Sequence, residues 1–205
     1  MKILSMFRKM WYHEPIRFPD FSGTRVMMMP VVLGSLEGVP DQYQSVVQLL
    51  YDMTESRHIG QVGYLTIDEK RLKVGDTLRR AGPHVDGWYK GGCGAWGSGP
   101  GRPGGSWGSA GNGMLVASNT DHCRFYPGLV LSEIGDEGDI NPYDLEKNYY
   151  VDSEPGAVYW VDGLCVHESM PVLEDVDRQF IRLSMPSSGP WFEGYTKKPY
   201  RHTPV

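Results

Sequence analysis

Apolar positions divide the chain into a proline-broken start, one helical stretch and a long β-prone remainder. In the first forty residues Pro15, Pro19, Pro30 and Pro40 interrupt short apolar runs at 26–29 and 31–33. Proline lacks a backbone donor and clashes with a preceding helical turn, so this region predicts short strands and turns. Over residues 41–57 the period changes. Tyr43, Val46, Val47, Leu50 and Met53 recur at three- and four-residue steps. That spacing gathers them on one face of an amphipathic helix, with Asp41 placed to cap its start.

After Gly60 the pattern turns to β structure. Val62, Tyr64, Leu65 and Ile67 predict a strand, with a turn at Lys73-Val-Gly-Asp76 behind it. Further strands are predicted at 114–117, 123–126, 157–161 and 179–183, the fourth of these runs closing the chain's β-prone part. The run from 157 reads as continuing through Asp162-Gly163 to His167. Short strands at this spacing, with a single clear helix, predict a mainly β sandwich or barrel carrying one or a few flanking helices.

Composition narrows the class further. The 205 residues, 40% hydrophobic and 12% aromatic, predict one folded domain over 1–205 and exclude a largely disordered chain. No apolar run approaches the ~20 residues of a membrane span. Charges at Lys2, Arg8 and Lys9 break up the apolar start, so no secretory leader is expected. The net charge of −5 shows no basic excess, which does not indicate a nucleic-acid partner but leaves room for a local groove. Cys93, Cys123 and Cys165 form no CxxC pair and predict free thiols in a reducing cytoplasm. Residues 91–113 hold 11 of the 26 glycines, with Trp96 and Trp107 as the only aromatic side chains. Such a segment is either a neutral surface loop or an ordered lid, and the tryptophans favour the second.

Chemistry concentrates in three places. His84-Val-Asp86 lies on an extended segment, where residues two apart point to one side, so an imidazole and a carboxylate can meet at one point. A distant histidine, His167, completes two imidazoles and one carboxylate. That set covers one face of a metal and leaves positions open for other ligands. Third, Asp177-Arg178-Gln-Phe-Ile-Arg182-Leu-Ser184 places Arg178, Phe180, Arg182 and Ser184 on one strand face. Two inward arginines need anionic partners, and a guanidinium fork suits carboxylates.

These residues resemble the Fe(II)- and 2-oxoglutarate-dependent oxygenases, whose pattern is His-x-Asp/Glu, a distal His and then a basic residue. The resemblance covers roughly residues 60–190. It implies a double-stranded β-helix (jelly roll), with Fe(II) held by His84, Asp86 and His167, and with 2-oxoglutarate and dioxygen as co-substrates. Hydroxylation of a small molecule, or of a macromolecule's side chain or base, is the implied outcome; halogenation is disfavoured because Asp86 supplies the carboxylate that halogenases usually lack. Arg178 follows His167 by 11 positions and Arg182 by 15. The first spacing resembles the arginine that grips the far carboxylate of 2-oxoglutarate in the taurine-dioxygenase and phytanoyl-CoA-hydroxylase branches. Arg182-Leu-Ser184 resembles an Arg-x-Ser pair with the same task in the penicillin-synthesis-like branch, so both assignments stand.

Substrate candidates are the aromatics behind the metal motif: Trp88, Tyr89, Trp96 and Trp107, which can stack on flat or apolar groups. Asn119 or Thr120 can reach the co-substrate, and His122 and Cys123 read as structural. Two other functions compete. A cupin-type metalloenzyme shares the jelly roll but expects His-x-His and a following Glu, where this chain has Asp86. A non-catalytic jelly-roll binding module leaves the order His, Asp, His, Arg, Arg without a reason.

Overall fold

Side-chain alternation along the strands builds three antiparallel sheets and sorts the apolar residues into separate cores. The computed structural model describes residues 2–10, 14–78, 80–86, 113–136, 138–186 and 196–197. Trp88, Tyr89, Trp96, Trp107 and the glycine-rich segment up to residue 112 lie outside the described residues. The strands are β1 (Lys2–Ser5), β2 (Phe7–Met10), β3 (Arg25–Val32), β4 (Val62–Leu72), β5 (Met114–Ser118) and β6 (Cys123–Tyr126). They continue with β7 (Gly128–Leu131), β8 (Val151–Asp152), β9 (Val158–Val161), β10 (Val166–Ser169) and β11 (Val176–Ser184). One α-helix, α1 (Gln44–Asp52), accompanies them.

The largest sheet has the order β2-β9-β5-β11-β4-β3, a second has β10-β6-β8, and β1 pairs with β7 alone. The fold is thus mainly β, with antiparallel sheets and one α-helix among the described residues. Strands from the first 32 residues take part in it: β3 extends the large sheet beside β4, and β2 closes its other edge beside β9. No helix among the described residues is long and apolar enough to cross a membrane.

Alternation along β11 divides the two faces of the large sheet. Ile181 and Leu183 join Leu65, Ile67, Leu115 and Ala117 in a core covered by Val46, Val47, Leu50 and Tyr51 of α1. On the opposite face Met28, Met114, Val116, Tyr159 and Val161 pack against Phe125 of the three-stranded sheet. Phe180 belongs to this second face, as do its strand neighbours Arg178 and Arg182. Arg178, Phe180 and Arg182 therefore lie on the face of the large sheet turned away from the helix.

Two predicted elements change their bounds. The helix expected over 41–57 is α1 alone, flanked by single 3-10 turns at Asp41–Tyr43 and Ser56–His58. Thr54 ends it: its hydroxyl donates back to the Leu50 carbonyl at 2.9 Å, and Glu55 is extended at φ −60° and ψ 135°. Asp41 makes no capping bond to the backbone, since Pro40 occupies the N-cap. The strand expected to run from 157 to His167 is two strands in two sheets. A turn closed by the Cys165 amide on the Asp162 carbonyl, at 3.2 Å, separates β9 from β10. Asp162-Gly163 is turn chemistry, and it redirects the chain toward the smaller sheet.

Close approach fixes glycine at one strand position. A Cβ on Gly63 would lie 2.6 Å from the Ser184 carbonyl oxygen and 2.7 Å from Leu33 Cδ2. Gly63→Ala is expected to lower the urea midpoint, at a cost of about 2–3 kcal/mol, because a backbone atom in the large sheet must move.

Candidate metal centre

The site begins with backbone pairing. His84 and His167 form an antiparallel bridge in which each amide donates to the other's carbonyl, at 2.9 and 3.0 Å. Directly opposed residues send their side chains to the same side of the sheet, so the two imidazoles meet, with ring centroids 4.5 Å apart. Val85, one residue on, points the other way into the core beneath β1 and β7. Asp86 then returns to the side of His84. His84, Asp86 and His167 each offer a ligand atom within 4.8 Å of the others, the one such metal-ligating group found among the described residues.

The way both rings are held suits metal binding. His84 Nδ1 lies 2.9 Å from the Gly82 carbonyl and His167 Nδ1 lies 2.9 Å from the Cys165 carbonyl. A carbonyl only accepts, so each Nδ1 carries a proton and Nε2 is the nitrogen that each ring turns toward a metal. Burial, reinforced by the neighbouring His167, lowers the pKa of His84 to about 4, which keeps it neutral at physiological pH. His167 Nε2 stands 4.0 Å from Asp86 Oδ2. Two imidazoles and a carboxylate converging from one side form an N2O donor set that fits a divalent transition metal with open positions.

A cavity of about 400 Å³, counted out to its mouth, opens beside this group and is lined by Leu78, Cys123, Ser169, Arg178, Phe180 and Arg182 as well. Both arginines are buried, Arg178 at 2% exposure and Arg182 at 6%. They do different things. Arg178 donates from Nε to Ser118 Oγ at 3.3 Å and from an Nη to Ser169 Oγ at 3.1 Å. Arg182 donates to Asp86 Oδ2 at 2.7 Å and from its other Nη to Met28 Sδ at 3.1 Å.

Ser184 is buried and lies on the same strand face, but it does not line the cavity. Asn119 turns to the edge of β11 instead, accepting from the Gln179 amide and donating to the Asp177 carbonyl. Thr120 is buried against Ser118, whose hydroxyl lies 3.3 Å away. Neither residue reaches the cavity lining. Arg80 pairs with Asp139 at 3.5 Å.

Cys123, read from the sequence as structural, lines the cavity because β6 and β10 pair with Ser169 opposite Cys123 and His167 opposite Phe125. Burial pushes its thiol up to about 12, so it is neutral there. Ser169 was within reach of sequence reasoning, since it sits two residues beyond His167 on a strand. Cys123 was not, because cross-strand register is set by pairings that the sequence does not display.

Searches against protein-family models, curated proteins and solved structures gave no match to this chain.

Proposed function

We propose that this chain is a non-haem Fe(II)- and 2-oxoglutarate-dependent oxygenase, a hydroxylase built on a double-stranded β-helix. The observation that carries the reading is the convergence of His84, Asp86 and His167 on one cavity that also holds buried Arg178. The charge of the site supports it. Asp86 contributes one negative charge against two from Arg178 and Arg182, so a divalent cation leaves an excess of three positive charges around the cavity. A dianionic chelator such as 2-oxoglutarate offsets most of that excess, which a neutral ligand cannot do.

Roles follow from geometry. His84, Asp86 and His167 would hold the metal, each imidazole aimed by its Nδ1–H bond to a backbone carbonyl. Bound Fe(II) with 2-oxoglutarate supplies dioxygen activation and the oxidation of a substrate C–H bond. Arg178 takes the far carboxylate, its guanidinium steadied in the cavity by the hydroxyls of Ser118 and Ser169. Those hydroxyls hold the guanidinium plane fixed before the carboxylate arrives, which limits the ordering cost of binding. Leu78 and Phe180 give the cavity an apolar wall beside the metal group. The substrate is a small molecule in this reading, with dioxygen as oxidant and the cytoplasm as the setting.

The test is an anaerobic titration of the protein with Fe(II) and then 2-oxoglutarate, followed by visible absorbance. Chelation of iron by the keto acid is expected to give a weak charge-transfer band that Arg178→Gln shifts to higher 2-oxoglutarate concentration. Iron binding without the band would favour a cupin-type or keto-acid-independent site. A protein that binds neither would favour a non-catalytic jelly-roll module.

A further inference from the structure

Met28 is the one non-glycine residue with a left-handed backbone among the described residues, at φ 49°. For a residue with a full side chain that conformation is unfavourable and persists only when its surroundings impose it. The cause is a bulge in β3. Val26 pairs with Ile67 and Met29 with Leu65, so Met27 and Met28 together face the single residue Thr66.

The extra residue changes which way Met28 points. Val26, Met29 and Val31 pack on the helix side of the sheet, whereas Met28 belongs to the core on the opposite side. In an unbulged strand residues 26 and 28 share a face, so regular pairing would bury Met28 under α1. The bulge instead sends it through to the side of the metal group. There its Sδ accepts from Thr66 Oγ1 at 3.2 Å and from Arg182 at 3.1 Å. The bulge is itself anchored. The Met28 amide donates to Thr66 Oγ1 at 3.2 Å, the Met27 amide donates to Thr196 Oγ1 at 2.8 Å, and the Thr196 amide returns a 2.7 Å bond to the Met27 carbonyl.

Resting on the metal-site reading above, we propose that the β3 bulge is a positioning device for the metal site: Met28 seats Arg182, and Arg182 aims the Asp86 carboxylate at the two imidazoles. Both are positioning residues, because neither is among the ligating side chains. Arg182 faces Thr66 across the β4–β11 pair, so thioether, hydroxyl and guanidinium stack from the bulge toward Asp86. The two arginines of β11 thereby separate in role, Arg182 serving the metal ligand and Arg178 the co-substrate.

The full chain tests this by calorimetric titration with Mn(II) alone, and then by 2-oxoglutarate titration at saturating metal. Arg182→Gln is expected to weaken Mn(II) binding about 10- to 100-fold, the usual loss when a ligand's outer partner is removed. Arg182→Lys keeps the charge without the fork and is expected to recover part of it. Met28→Leu keeps the volume and the backbone strain but removes the sulfur acceptor, and is expected to weaken Mn(II) binding about threefold or more, in the same direction. Arg182→Lys and Met28→Leu, which keep the charge of the cavity, are not expected to change 2-oxoglutarate affinity once metal is saturating, whereas Arg178→Gln changes that alone. Wild-type Mn(II) affinity in Met28→Leu and Arg182→Lys, alongside its loss in His84→Ala, would overturn the positioning role and leave the metal site standing. Weakened 2-oxoglutarate binding in Arg182→Lys at saturating metal would also overturn it, making Arg182 a co-substrate residue. A wild-type chain that binds no Mn(II) would overturn the proposal together with the reading on which it rests.

Discussion

Replacing His84 with alanine is expected to lower divalent-metal affinity by more than about 100-fold while leaving the protein folded. The size follows from the ligand count. With the imidazole gone, only Asp86 and His167 remain of the converging set, and loss of a ligand exceeds the 10- to 100-fold cost of losing an outer partner. Retention of the fold follows from the way the segment is held. The bonds that seat residue 84 are its own amide and carbonyl to His167, which an alanine makes equally well. Burial of His84 also keeps it neutral, so the substitution removes no charge from the interior at pH 7. Calorimetry with Mn(II) gives the affinity and a thermal melt gives the fold. An unchanged affinity in a protein that still melts cooperatively would remove His84 from the site, and the functional reading with it.

Much of that site was legible from the chain because local periodicity carries real geometry. His84 and Asp86 stand two apart on an extended segment, and Arg178, Phe180 and Arg182 alternate along one strand; both patterns survive in the structure. The central place of β11, between β4 and β5, is what turns its arginines inward, where an edge strand would have left them solvated. The chemistry of a buried guanidinium made that orientation informative in advance. Long-range pairing was illegible. Nothing in the sequence announces that His84 bridges His167, that Cys123 lies opposite Ser169, or that β3 slips by one residue at Thr66. For the same reason the sequence, which offered Arg182 through its Arg-x-Ser resemblance as an alternative to Arg178 for the co-substrate, did not show the bond of Arg182 to Asp86. Its partner Asp86 lies on a separate segment, and only the fold brings the two to 2.7 Å. The misread strand at Asp162-Gly163 has a local cause. Its apolar flanks outweighed a turn signal that decides which sheet His167 joins.

Acid is expected to loosen, through Glu69, the strand that carries both arginines. Glu69 lies directly opposite Gln179 in the β4–β11 pair, on the helix side of the sheet. One carboxylate oxygen accepts from Tyr43 Oη at 2.6 Å and Gln179 Nε2 at 2.8 Å; the other accepts from the amides of Ser22 and Thr24 at 2.9 and 2.7 Å. Burial alone would raise the carboxyl's pKa, but the donors from Tyr43, Gln179, Ser22 and Thr24 outweigh it and hold the group at about 2, below its ordinary 4.5. A folded-state pKa below the unfolded one means that the contribution is present in full above pH 4.5 and is lost as pH falls through about 2. The shift corresponds to about 3 kcal/mol of stability at neutral pH. Glu69→Gln keeps the shape without the charge, so at pH 7 it is expected to lose about 2–3 kcal/mol, and below pH 4.5 to lose less stability with acid than the wild type does. Urea unfolding at pH 7, 4.5 and 3 separates the two curves, and parallel curves across that window would exclude the carboxylate as the acid-sensitive tie. Gln179 sits between Arg178 and Phe180, so a protein that has lost this tie holds the strand by backbone pairing, the Asn119 clamp and the bonds of Gln179 to Pro19 and Tyr43. Weakening of 2-oxoglutarate binding in Glu69→Gln at pH 7, with metal affinity intact, is the functional sign expected of that loosening, because Arg178 rides on β11 whereas the bridge between His84 and His167 does not.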